Sequence, residues 1–88
     1  MTTHELKSWP TVFDAVKQGI KGFEARRNDR HFAVGDRLLL REWCPQTKNY
    51  SGHTLLLEVT YLLNGPSFGI ETGYCVMSVR PVLREIKP

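Results

Sequence analysis

The apolar positions of this chain sort into one helical stretch and a series of strand-like stretches. Residues 4–9 have the length of a short strand. Pro10 then suits the first turn of a helix, where its missing N–H has no partner to lose. Val12, Phe13, Val16 and Ile20 recur at helical spacing, and Gly19 supplies a C-terminal stop. The spacing therefore predicts a helix over residues 10–18. From Gly22 to Arg27 the residues alternate, with Phe23 and Ala25 on one face and Glu24 and Arg26 on the other. The apolar face is the one expected to enter the core. Asn28-Asp29 and Val34-Gly35-Asp36 carry turn chemistry, and a strand is expected over 37–43, followed by a polar loop over 45–52. Residues 53–63 give the clearest strand, with Leu55, Leu57, Val59, Tyr61 and Leu63 on one face. Asn64-Gly65-Pro66 turns the chain, residues 68–71 read as a short irregular or strand-like piece, and 74–80 form a last strand that Pro81 weakens.

About five strands and one early helix, joined by short connections, describe a mainly β fold of the α+β kind. A small antiparallel barrel with the helix over one end fits best. One helix is too few for a parallel α/β sheet. The 88 residues make one domain, 1–88. Trp9, Phe13, Phe23, Phe32, Tyr61 and Phe68 are expected in the core, and Cys75 reads as a small core residue.

Composition excludes several classes. With 41% hydrophobic and 24% charged residues the chain is globular. No apolar run approaches a membrane span, and the first residues lack the apolar stretch of a signal peptide. A cytoplasmic location with reduced Cys44 and Cys75 follows as the expectation. No CxxC and no His/Cys cluster exists, so neither a metal nor a cofactor is assigned.

Charge changes the picture more. Residues 17–30 hold Lys17, Lys21, Arg26, Arg27 and Arg30 against Glu24 and Asp29, five cations minus two carboxylates, which equals the +3 of the whole chain. A basic focus on a neutral body points to an anionic partner met at one place. Within it, Glu24 and Arg26 share a strand face and Lys21 sits one step before that strand. Arginine grips phosphate with a planar fork, and a carboxylate accepts from an exocyclic amine. Asp29 is placed to cap its turn or to hold Arg30, and Gly35 and Asp36 are assigned to turn geometry. Trp43, Tyr50 and Tyr74 lie near loops where a base could stack, and the 46–52 loop, with Lys48, Asn49 and Tyr50, would form an adaptable lip.

The pattern His4-Glu5-Leu6-Lys7, a helix, then Lys21, Phe23-Glu24, Arg26, Asn28-Asp29-Arg30, Phe32 and Val34-Gly35-Asp36 resembles a small uncharacterised family related to the ASCH domains of the PUA-like superfamily. That resemblance implies a compact β-barrel of a kind that mostly binds RNA, with some relatives recognising modified bases. It also implies a second possibility, because some ASCH proteins resemble ribonucleases or amidohydrolases acting on acylated cytidine. In the amidohydrolase type a Lys after the helix is followed by a Thr three residues on and an Arg two further. Lys21 and Arg26 match that spacing, Glu24 stands at the Thr position, and Glu58 and Glu71 are the candidates for a distal Glu. The resemblance also raises His4 as a site residue.

The function expected is an RNA- or nucleotide-binding module, RNA before DNA, with a basic cleft formed by Lys21, Glu24, Arg26, Arg27, Arg30 and His4. The alternative is a small metal-independent hydrolase in which Lys21 and Glu24 carry the chemistry. A third reading is an accessory domain that binds a protein through its basic face.

Overall fold

The computed structural model describes residues 1–82, ordered as β1 (Thr3–Ser8), α1 (Pro10–Lys17), β2 (Phe23–Arg27), β3 (Arg37–Cys44), β4 (Asn49–Asn64) and β5 (Tyr74–Pro81). The five strands form one sheet in the order β1-β3-β4-β5-β2. The sheet curls into a half-barrel that leaves β1 and β2 as its two edges. Three of the four pairings are antiparallel, but β1 runs parallel to β3, in the register Thr3↔Arg37 to Ser8↔Glu42. This corrects the expectation of a wholly antiparallel, closed barrel. A parallel pair needs a long crossover, and here α1 and β2 both lie within it.

The concave side holds the core of Leu6, Phe13, Val16, Phe32, Leu38, Leu40, Leu57, Val59, Cys75 and Met77, against which Leu55, Leu62 and Val79 pack. Helix α1 contributes Phe13 and Val16, each worth about 1.5–3 kcal/mol on burial. Val12 and Ile20 are exposed. The helix stops in a Schellman motif: Gly19, at φ 78°, donates to the Val16 carbonyl, and Ile20 donates to that of Ala15. Lys21 donates its own amide to the same Ala15 carbonyl, so the helix stop sets where Lys21 stands.

Several aromatics expected in the core are outside it. Phe13 and Phe32 are buried, whereas Trp9, Phe23, Tyr61 and Phe68 are exposed. On β4 the reason is a bulge. The register with β5 shifts between Val59 and Tyr61, which flips the alternation and brings Leu62, not Tyr61, to the core. On β2 the faces are reversed: Glu24 is buried and Phe23 and Ala25 face out. The polar stretch expected as a loop over 45–52 is a tighter turn, since β4 already begins at Asn49.

His4 is buried at the start of β1. Its Nε2 donates to Asp36 Oδ2 at 2.9 Å, and its ring meets Phe32 edge-on at 4.7 Å. Asp36 also accepts from the Thr2 amide at 3.2 Å and the Ala33 amide at 3.1 Å. The Val34-Gly35-Asp36 turn thereby ties the head of β1 to the head of β3. Burial pushes the Asp36 carboxyl up, but the hydrogen bonds from His4, Thr2 and Ala33 outweigh it, and its pKa lies below the ordinary carboxylate value.

A depressed carboxylate stabilises the fold above its unfolded-state pKa, and that contribution is lost as pH falls through the folded value. Urea midpoints are therefore expected to fall from about pH 5 towards about pH 2, and Asp36→Asn to flatten that limb. An unchanged acid limb in Asp36→Asn would contradict this role for the carboxylate.

Candidate functional site

Strands β1 and β2 approach each other without pairing, and side chains bridge the seam between them. Glu24 is central. It is 2% exposed, and a buried carboxylate is costly unless paired on its remaining acceptor sites. Lys21 Nζ donates to Glu24 Oε2 at 3.0 Å and Arg26 Nε to Oε1 at 3.1 Å. Lys21 Nζ also donates to the Phe23 carbonyl and lies 4.6 Å from the centre of the Phe23 ring. The inward turn of a charged face, against the apolar expectation for β2, follows from this three-residue pairing. Phe23 is left on the outside, with a cation on its ring.

The guanidiniums then cross to β1. Arg26 Nη2 donates to the Lys7 carbonyl at 2.9 Å, and Arg30 Nη1 to the Glu5 carbonyl at 2.6 Å. Asn28 makes the second contact possible. Its side chain accepts from the Phe32 amide at 3.0 Å and donates to Asn64 Oδ1 at 2.8 Å, folding the 28–32 turn so that Arg30 faces β1. Asp29 is expected to cap this turn or to hold Arg30; the cap is instead Asn28, and Arg30 is held by the Glu5 carbonyl.

Two clefts flank this seam. The first, about 300 Å³, is lined by Glu5, Leu6, Lys7, Arg26, Arg30, Arg41 and Tyr50. The second, about 250 Å³, includes Ser8, Trp9, Val12, Lys21, Phe23 and Glu24, and shares Lys7 and Arg26 with the first. Lys21, Glu24, Arg26 and Arg30, four of the residues singled out in the sequence, thus meet along one seam. His4 is committed to Asp36 in the core. Arg27 projects elsewhere, over the Tyr74 ring at 5.7 Å. Glu58 pairs with Arg80 and Glu71 lines a different cleft with Ile70 and Tyr74, so neither joins Lys21.

Lys7, Ser8, Trp9 and Arg41 line the clefts without having been expected there from the sequence. Lys7 and Arg41 are register partners across the parallel β1–β3 pair, and nothing local in the sequence announces that pairing. Arg41 lies 3.9 Å from the centre of the Tyr50 ring and Lys7 4.4 Å from that of Trp43, so the turn end of the β3–β4 hairpin extends the basic surface. Among the described residues, no group of three or more His, Cys, Asp or Glu gathers into a metal-sized cluster, and no helix is long and apolar enough to cross a membrane.

Comparison with known proteins adds a family. The chain belongs to the family described as "Domain of unknown function (DUF3850)", which it matches over residues 3–79. It is also 45% identical over 40 residues to the "Uncharacterized 12.9 kDa protein in GpA 3'region" of Escherichia phage P2. That match covers 46% of this chain and 37% of the phage protein. The family span takes in β1 through most of β5, hence both walls of the seam.

Arg26 serves two acceptors at once, so Arg26→Ala is expected to cost about 2 kcal/mol in urea unfolding, with Arg26→Lys costing less because the charge beside Glu24 is kept. A loss within about 0.5 kcal/mol, the range of ordinary surface changes, would remove the structural role assigned to the seam.

Proposed function

We propose that this domain binds RNA or a nucleotide along the β1–β2 seam, and that its curled sheet with a helix after β1 is a PUA-like barrel of the ASCH-related kind. The observation that carries the reading is the composition of the first cleft. Lys7, Arg26, Arg30 and Arg41 surround it against a single carboxylate, Glu5, a surplus of three positive charges. Arg30 is held by a backbone carbonyl. A neutral acceptor orients a guanidinium without cancelling its charge, so Arg30 is both fixed and available to an anion. Arg26 is fixed in the same way, with its charge shared with Glu24. Such oriented cations at a cleft mouth suit phosphate oxygens, and Tyr50 in the same wall adds an aromatic face.

Binding is favoured over hydrolysis by the state of Lys21. Its Nζ already donates to the Glu24 carboxylate and to the Phe23 carbonyl, whereas a nucleophilic or basic lysine needs a free amine. Turnover of a nucleoside or of RNA that disappears in Lys21→Ala would reverse this preference.

The test is a salt titration of single-stranded RNA binding. Each phosphate contact contributes about 0.7 to the log–log salt slope for a single strand. The double variant Lys7→Ala/Arg30→Ala is expected to lower that slope by about 1.4 and to weaken binding at least roughly tenfold, with its circular dichroism retained. No affinity at low salt, or an unchanged slope in the double variant, would refute the proposal.

A further inference from the structure

We propose that the second cleft is a subsite for one unstacked nucleobase, with Trp9 as its stacking face and the Ser8 hydroxyl in its polar floor. This rests on the nucleic-acid reading of the seam and adds to it the part that senses the base.

Two features of the cleft lead there. The first is an unpartnered hydroxyl. Ser8 is 3% exposed, lies in the cleft lining, and its Oγ has no hydrogen-bond partner. Buried polar atoms are nearly always satisfied, and among the described residues the other such side-chain atom is Arg37 Nε, in the wall of a separate cleft. A serine hydroxyl both donates and accepts, so it can meet either kind of group on a base edge. Beside it, Glu24 keeps free lone pairs on oxygens that each accept one hydrogen bond, and Lys21 Nζ has a third proton beyond the two it donates.

The second feature is an uncommitted ring. Of the aromatic side chains that line clefts, Tyr50 carries Arg41, Phe23 carries Lys21 and Tyr74 carries Arg27. Trp9, 57% exposed, carries no cation among the described residues. It stands between β1 and Pro10, where the helix start fixes its backbone: its carbonyl accepts from the Phe13 amide at 2.8 Å. An exposed indole on a fixed backbone, above a polar floor, matches what single-strand binding proteins offer a base. The shared wall of Lys7 and Arg26 places phosphate-binding cations next to that base site, as one nucleotide requires. A base stacked inside a duplex would first have to be extruded to enter, so the site selects single strands.

Three probes are compared by fluorescence anisotropy: a labelled single-stranded RNA, an abasic strand of the same length, and inorganic polyphosphate competing with each. The native protein is expected to bind the RNA roughly tenfold or more tightly than the abasic strand. Trp9→Ala should remove that difference, a loss of roughly 5- to 150-fold, the range for one base–aromatic stack, while polyphosphate competes as before. Trp9→Phe should restore most of it, which guards against a folding defect. Ser8→Ala should narrow the differences among the four homopolymers and leave the abasic strand unchanged. Equal affinity for RNA and abasic strand, or a Trp9→Ala loss shared equally by polyphosphate, would overturn the base subsite while leaving the basic cleft in place. Failure of the native protein to bind any of the probes would overturn both.

Discussion

Glu24 lies buried as an anion between Lys21 and Arg26, and the two edges of the sheet meet around it. Removing a carboxylate from water is unfavourable by several kcal/mol unless charge and hydrogen bonds are returned to it. Here both are returned by residues within three positions of it in the chain. The consequence is geometric. With its carboxylate facing inward, β2 must show Phe23 and Ala25 to solvent, and the guanidinium of Arg26 is left pointing at β1. Arg30 repeats that contact one turn later. A half-barrel whose edges do not pair by backbone is thus closed by side chains.

Closure of this kind also protects the sheet. An unpaired edge strand offers its carbonyls to any other chain, and proteins commonly blunt such edges with charged side chains. The carbonyls of Glu5 and Lys7 are occupied by arginines, which blunts β1 on that side. The same contacts concentrate positive charge at the seam, because backbone carbonyls do not neutralise it. A structural need and the proposed binding surface are therefore served by one arrangement. The motif residues outside the seam act on the fold instead. His4 and Asp36 fasten β1 to the turn before β3, and Asn28 shapes the turn that carries Arg30.

Much of the fold was legible in the sequence. All five strands and the helix follow from periodicity and from Pro10, Gly19, Asn28, Gly35 and Pro66, with several boundaries met to within a residue. The parts that were not legible depend on contacts distant in the chain. A period of two shows that Phe23 and Glu24 face opposite ways, but not which way is inward; that was decided by the Lys21–Glu24–Arg26 pairing. The bulge before Tyr61 and the parallel β1–β3 register left no local mark, and the second of these concealed Lys7 and Arg41 as neighbours of the site. Of the candidate site, the clustering of Lys21, Glu24, Arg26 and Arg30 was legible because all four fall within ten residues. Trp9 and Ser8 were not, since a tryptophan beside a helix start reads more simply as core.

The claim that the seam closing the barrel is also the ligand surface is tested most directly by nuclear magnetic resonance. A single-stranded RNA would be titrated into 15N-labelled protein with the arginine Nε–H and indole signals resolved. The expected result is a set of shifts confined to the Arg26 and Arg30 side chains, the Trp9 indole and the amides of β1 around Lys7. Shifts centred instead on the cleft of Ile70 and Tyr74, with the Arg26 and Arg30 signals unmoved, would contradict it.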